Sequence, residues 1–221
     1  MADLSQVSVI FDLDGTLIDS APDIQATANR VMAGFGFPAL SLPQVQAFVG
    51  KGLPNLVVRL LEHHGAAPEG PLFAPAMAQF ETEYLTSHAR TRPYPGVPSA
   101  LQVLAAHGAA LGVCTNKPVG PARAVLDHLG LSPLFSALLG GDSLPFRKPD
   151  PEHLYATARA LGRRTVIFVG DSEVDAETAK TAGVPFLLFT EGYRKSPLTA
   201  IAHDAAFDDW AALPDLVAIR A

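Results

Sequence analysis

The stretch VSVIFDLDGTLIDS, residues 7–20, runs from an apolar segment into two aspartates, Asp12 and Asp14, which are separated by one residue. Five of its first seven residues are apolar, which is typical of a buried β-strand. Two carboxylates so close in the chain repel each other unless a cation, a proton or a substrate compensates their charge. The stretch therefore predicts a buried strand that ends at a site with such a partner.

The composition indicates a well-packed globular protein, because 48% of the 221 residues are hydrophobic and 17% are charged. The length suits one larger domain with a smaller insertion. No apolar run approaches the roughly 18 residues of a membrane helix, so we expect no membrane contact. Cys114 is the only cysteine, which excludes an internal disulfide, and the first residues, MADLSQ, lack a basic signal-peptide region. We therefore expect a cytoplasmic location.

The formal net charge of −6 argues against nucleic acid as a partner, because a phosphate backbone requires a basic surface. A small anionic substrate remains compatible with this charge, since a divalent metal in a cleft can invert the local field.

Apolar runs alternate with helical patterns over much of the chain. The runs occupy residues 7–13, 110–116, 137–142, 165–171 and 185–189, and the helical patterns occupy 98–107, 119–129, 151–161 and 175–182. Nearly continuous apolar runs are typical of parallel strands that are covered on both faces. The alternation predicts an α/β fold with a doubly wound parallel sheet, closed by a last short strand and helix after residue 204.

One segment breaks this alternation. Helical patterns at residues 23–35, 53–64 and 71–88 follow one another with no clear strand, until the punctuation PYPG at 93–96. We interpret residues 19–93 as an inserted α-helical cap domain. Residues 1–18 and 94–221 are then a discontinuous core domain.

Polar side chains stand at the carboxyl ends of three predicted strands. They are Asp12 with Asp14, then the segment 115–117, then Asp171, while Lys148 follows a fourth strand in a loop. Because open parallel sheets bind ligands in the crevice at these ends, we expect the groups to converge on one site.

The chemistry of these groups favours phosphoryl transfer. Three carboxylates make a hard oxygen site that suits Mg²⁺, and Thr115, Lys117 and Lys148 supply donors for a phosphate dianion. A carboxylate can itself act as the nucleophile. Phosphate-loop and dinucleotide motifs are absent, and the nearest string, Gly50-Lys51-Gly52, lies inside the helical segment. Cys114 is expected to be a buried, inert strand residue.

The segments FDLDGTLIDS, CTNK, RKPDP and GDSEVD resemble, in this order, the four signature motifs of the haloacid dehalogenase superfamily. A closer resemblance to the phosphoglycolate phosphatases rests on FVGKGLPNLV, TNKP, GGDSLPFRKPDPEHL and EGY. The resemblance implies a Rossmann-like core with a helical cap. It also implies a Mg²⁺-dependent phosphomonoester hydrolase that acts on 2-phosphoglycolate through an aspartyl-phosphate.

Two alternatives stay open beside this function. One is a phosphatase of another small sugar or nucleotide phosphate, and the other is a non-catalytic phosphate-binding module. A dehalogenase is disfavoured because it needs no acid/base aspartate at the position of Asp14. The oligomeric state also stays open between a monomer and a homodimer.

By the resemblance, Asp12 is the nucleophile and a Mg²⁺ ligand. Asp14 protonates the departing alkoxide, later activates the hydrolytic water, and offers its backbone carbonyl to the metal. Asp171 is a further metal ligand. Asp175 supports the metal shell through water or through Lys148, which neutralises the phosphate and orients Asp12. Val174 departs from the pattern, since many relatives have asparagine before the final aspartate.

Four residues are expected to contact the substrate. The resemblance places Thr115 and Asn116 on the phosphoryl oxygens. Lys117 follows them directly in the chain, and Lys51 of the predicted cap is a candidate partner for a substrate carboxylate.

Overall fold

The computed structural model describes residues 2–221. Its centre is a six-stranded parallel sheet, whose strands are β1 (Val7–Phe11), β4 (Ala110–Cys114), β5 (Ala137–Leu139), β6 (Thr165–Gly170), β7 (Phe186–Phe189) and β8 (Ala205–Phe207). The order of the strands across the sheet is β5-β4-β1-β6-β7-β8. This arrangement confirms the predicted doubly wound sheet.

The opening stretch supplies the central strand. β1 pairs in parallel with β4 on one side and β6 on the other, and Phe11 lies opposite both Val113 and Val169. The chain winds outward from β1 through β4 to β5, then returns to start again at β6. The strand order therefore reverses between β1 and β6, which is where open α/β sheets place their ligand crevice.

Helices cover both faces of the sheet. α5 (Val97–Ala106), α6 (Val119–His128) and α9 (Leu213–Ala218) pack over one hydrophobic cluster, and α7 (Pro151–Leu161) and α8 (Glu173–Ala182) pack over another. In β1, Val9 and Phe11 belong to the first cluster and Ile10 to the second. Because successive strand residues point to opposite faces, one apolar run fills both layers.

The helical segment between β1 and β4 has a hydrophobic cluster of its own. It contains α1 (Ala21–Gly34), α2 (Leu42–Gln46), α3 (Leu53–His63) and α4 (Phe73–Tyr84). The short helix α2 was not predicted from the sequence. The observed helices confirm an inserted helical cap, while the domain bounds 1–18, 19–93 and 94–221 stay a prediction.

The expectation of no strand in the segment from Asp19 to Arg92 is wrong at its two ends. The two-residue strands β2 (Ile18–Asp19) and β3 (Arg92–Pro93) pair antiparallel where the chain leaves and re-enters the core. Two residues are too few to show an alternating pattern, and their partners lie far apart in the chain. Within residues 2–221, no helix has the length and apolar character required to cross a membrane.

Candidate active site

Asp12 directly follows β1, at the point where the strand order reverses. Its backbone amide continues the sheet pairing by donating to the carbonyl of Val169 at 2.9 Å. The chain then turns sharply at Gly15, which has φ +89°. A Cβ at this position would lie 2.5 Å from Oδ2 of Asp171, so the turn requires glycine for both its backbone conformation and its space.

Three aspartates form a cluster at this edge of the sheet. Asp12, Asp171 and Asp175 each offer a carboxylate oxygen, and these oxygens lie within 4.8 Å of one another. Asp171 ends β6. Asp175 lies in the first turn of α8 and forms a capping box with Ser172, whose Oγ donates to Oδ2 of Asp175 at 2.6 Å. All three aspartates are buried.

Lys148 lies between two members of this cluster. Its ammonium donates to Oδ1 of Asp175 at 2.7 Å and lies 2.9 Å from Oδ1 of Asp12. Burial alone lowers the pKa of Lys148, but the charges of Asp12 and Asp175 outweigh burial and hold it above its ordinary value. Lys148 therefore stays charged, and its role in neutralising phosphate stays a prediction.

One lysine does not compensate three buried carboxylates. Burial raises the pKa of Asp12, and the charge of Asp175 adds to this effect although Lys148 opposes it. Burial also raises the pKa of Asp171, with further contributions from Asp175 and Asp12. Oδ1 of Asp12 is buried and has no hydrogen-bond partner within residues 2–221, despite its proximity to Lys148. The cluster is rich in carboxylate oxygens and has too little positive charge to balance them, so it fits a hard divalent cation such as Mg²⁺.

The carboxylate of Asp14 lies outside that cluster. Its Oδ1 accepts a hydrogen bond from Oγ of Ser20 at 2.5 Å and another from Nζ of Lys117 at 3.1 Å. The predicted metal set therefore differs from the observed carboxylate cluster, in which Asp175 stands in place of Asp14. The predicted metal contact of Asp14 is through its backbone carbonyl, and it stays a prediction.

Thr115 and Asn116 follow β4 and line the same cleft. Thr115 is buried, and its Oγ1 accepts from the backbone amide of Lys117 at 3.2 Å. Asn116 uses both hydrogens of its amide, donating to the carbonyl of Gly50 at 3.0 Å and to that of Lys148 at 2.9 Å. Its side chain therefore joins the helical segment to the loop that carries Lys148.

Lys51 does not line the cleft, although the residues on either side of it do. Its side chain is exposed, whereas Gly50 and Gly52 on either side of it line the cleft. A contact between Lys51 and substrate stays a prediction.

The sequence did not reveal several residues that hold the site. The hydroxyl of Thr16 donates to Oδ1 of Asp171, and the backbone amide of Tyr193 donates to Oδ2, each at 2.6 Å. The phenol oxygen of Tyr193 accepts from the amides of Ser20 and Ala21 and donates to Asp19. The only sequence signal for Tyr193 was the segment EGY, which formed part of the resemblance to the phosphoglycolate phosphatases.

The helical segment closes the cleft on the side opposite Asp12 and Asp14. Apolar side chains from this segment line it: Ile24, Val49, Leu53 and Leu56. Cys114, at the end of β4, is buried, and burial raises the pKa of its thiol to about 12, so it is the inert core residue that was expected.

The fold is a doubly wound sheet with an inserted helical segment, and clustered carboxylates and a buried lysine lie where the strand order reverses. Together these features are typical of a hydrolase that transfers phosphoryl groups. The chain belongs to the haloacid dehalogenase-like hydrolase family, whose model matches residues 9–189. This result confirms the resemblance of the four motifs.

Individual relatives agree with the family. The chain is 49% identical to a phosphoglycolate phosphatase of Rhodobacter capsulatus over 210 residues, covering 95% of this chain and 96% of the relative. It is 40% identical to a phosphoglycolate phosphatase of Rhodospirillum rubrum, over 94% of this chain and 89% of the relative. A crystal structure of a predicted phosphoglycolate phosphatase from Haemophilus somnus superposes with a TM-score of 0.88 and 32% identity, over 95% of this chain and 97% of the other. The family and these relatives confirm the predicted enzyme class, a phosphoric monoester hydrolase.

Proposed function

We propose that this protein is a Mg²⁺-dependent phosphatase that hydrolyses 2-phosphoglycolate to glycolate and phosphate through an aspartyl-phosphate on Asp12. The observation that carries the proposal is the clustering of Asp12, Asp171 and Asp175 where the strand order reverses, with Lys148 in contact with Asp12 and Asp175. A phosphate dianion and an attacking carboxylate can share such a site only where positive charge is concentrated.

Mg²⁺ would be held by the carboxylates of Asp12 and Asp171 and by the backbone carbonyl of Asp14. When bound, it supplies positive charge that neutralises the phosphoryl oxygens and favours the ionised form of Asp12. Both oxygens of Asp175 are already engaged, by Lys148 and by Ser172. We therefore assign Asp175 the support of Lys148 and of the metal shell.

Asp12 attacks phosphorus through a carboxylate oxygen, and the bond from phosphorus to the ester oxygen breaks. Lys148 orients Asp12 and neutralises the phosphoryl group, which Thr115 and Asn116 hold through the Thr115 hydroxyl and neighbouring backbone amides. Phosphoryl transfer depends mainly on such positioning and charge stabilisation.

Asp14 donates its proton to the departing alkoxide, which leaves as glycolate. It then takes a proton from the water that attacks the aspartyl-phosphate, and phosphate is released with Asp12 regenerated. Ser20 and Lys117 hold the Asp14 carboxylate on the side of the cleft that the helical segment covers.

The lining of the cleft supports a small substrate. Apolar side chains of the helical segment, among them Ile24 and Leu56, line the same cleft as Asp12 and Asp14, which favours a compact ester over a nucleotide. The relatives described above are named phosphoglycolate phosphatases, which supports phosphoglycolate as the substrate. Lys51 is our candidate for contact with the substrate carboxylate, and another small sugar phosphate is the alternative substrate.

The test is phosphate release from a panel of esters that includes 2-phosphoglycolate, small sugar phosphates and nucleoside monophosphates, with Mg²⁺ and with a chelator. We expect the highest kcat/KM for 2-phosphoglycolate, and loss of turnover with the chelator or in Asp12→Asn. Activity that persists in Asp12→Asn would overturn the mechanism. Similar kcat/KM values across the panel would overturn the substrate assignment, and no turnover of any ester would favour a phosphate-binding module.

A further inference from the structure

Tyr84 brings the helical segment into direct contact with the catalytic loop. It is the last residue of α4, it is 6% exposed, and its phenol oxygen accepts a hydrogen bond from Nζ of Lys117 at 2.6 Å. The same ammonium lies 4.1 Å from the centre of the Tyr84 ring. The ring face and the phenol oxygen therefore both stabilise the lysine.

Lys117 connects Tyr84 to Asp14. Its side chain is 4% exposed, and its ammonium lies 3.1 Å from Oδ1 and 3.4 Å from Oδ2 of Asp14. Burial alone lowers the pKa of Lys117, but Asp14 and Tyr84 outweigh burial and raise it above its ordinary value. A buried ammonium with two close partners has little freedom, so the position of each partner constrains the other.

The neighbouring residue shows that this loop is where the helical segment meets the site. Asn116 donates to the carbonyl of Gly50 in the helical segment and to the carbonyl of Lys148 in the core. Two consecutive residues, Asn116 and Lys117, thus each join the helical segment to a group of the proposed chemistry.

We propose that Tyr84 is a positioning residue for Asp14 and acts through Lys117. The inference rests on the proposed function, in which Asp14 protonates the leaving group. Without the phenol oxygen, Lys117 keeps its charge and the aromatic face but loses one fixed contact. Asp14 is then held less firmly against the leaving oxygen, and the step that needs its proton slows.

The dependence on the leaving group tests this role. Glycolate leaves as an alkoxide that requires a proton, whereas nitrophenolate leaves from p-nitrophenyl phosphate without one. We expect Tyr84→Phe to lower kcat/KM for 2-phosphoglycolate by about tenfold and for p-nitrophenyl phosphate by less than about threefold. Lys117→Met is expected to produce the same selective loss. The double variant is expected to lose little more than Lys117→Met alone, because both changes interrupt one connection.

Tyr155→Phe is the matched control. Tyr155 also donates one hydrogen bond through its phenol, to the carbonyl of Ala182 at 3.2 Å between α7 and α8. We expect this variant to retain both kcat/KM values, and thermal unfolding of every variant checks that each is folded.

The outcomes separate this inference from the proposed function. Equal losses on both esters in Tyr84→Phe, or wild-type values on both, overturn the positioning role while leaving a working phosphatase. If the unaltered protein hydrolyses neither ester, the proposed function is overturned, and the inference with it.

Discussion

Lys148 and Asp175 form an ion pair of 2.7 Å in which the lysine side chain is 1% exposed and the aspartate side chain is fully buried. The pair links the loop that follows β5 to the first turn of α8. Because Asp175 also forms the capping box with Ser172, the start of α8 fixes the direction from which Lys148 reaches Asp12.

Replacing Asp175 by asparagine tests this link. The amide oxygen can still accept a hydrogen bond from Lys148, but the negative charge that holds the ammonium is lost. We expect Asp175→Asn to lower kcat for phosphate release by about ten- to a hundredfold, as for other partners that orient a primary ligand. Asp208→Asn, at an exposed aspartate, is the control and should retain kcat. A wild-type kcat in Asp175→Asn would contradict the assigned role.

Gly15 offers a test of the turn that brings the two motif aspartates together. A side chain there faces both a φ of +89° and a contact of 2.5 Å with Oδ2 of Asp171. We expect Gly15→Ala to lower kcat by at least about a hundredfold, because a misplacement of about 1 Å at the chemistry has that effect.

Gly130→Ala separates backbone strain from displacement of Asp171. Gly130 has φ +68°, but a Cβ there meets no atom within 4 Å. We expect this variant to lose about 1–2 kcal/mol of unfolding free energy, measured with urea, and to retain kcat. Equal losses of kcat in Gly15→Ala and Gly130→Ala would contradict the view that position 15 requires glycine because of the close approach of Asp171.

The positions of Asp12 and Asp171 were predictable because each directly follows an apolar run, and parallel strands bring their carboxyl ends to one edge. The doubly wound parallel sheet was predictable from the alternation of strands and helices, although the order of its strands was not predicted. Contacts that depend on the inserted segment were not predictable. Tyr84 and Lys117 are 33 residues apart and lie on different elements. No periodicity marks one tyrosine of an amphipathic helix as the partner of a particular lysine.

A divalent cation should stabilise the folded protein through the same carboxylates. At about 100 times its dissociation constant, a ligand adds about 2.7 kcal/mol to the unfolding free energy. For a chain of this size we expect Mg²⁺ to raise the Tm by roughly 5–10 °C in scanning calorimetry. Asp171→Asn should remove most of this shift, whereas Asp208→Asn should retain it. A full shift in Asp171→Asn would contradict the proposed ligand role.

His153 in α7 is fully buried beside the loop of Lys148. Burial, with a further contribution from the charge of Lys148, lowers the pKa of His153 from 6.5 to about 4. The folded protein therefore keeps this ring neutral at a pH where the unfolded chain has already taken up a proton. The resulting contribution to stability is complete above about pH 6.5 and is lost as the pH falls toward 4.

His153→Leu removes this titration while keeping an uncharged side chain in the core. Between pH 7 and pH 5, the unfolding free energy of the wild type should fall by about 2 kcal/mol more than that of the variant, because only the wild type has the shifted histidine. Urea unfolding at the two pH values measures the difference, and His203→Leu, at an exposed histidine, should follow the wild type. Parallel losses in the wild type and His153→Leu would show that other groups cause the acid sensitivity. A larger loss in His153→Leu would show that the buried ring binds its proton more readily in the folded protein than in the unfolded chain.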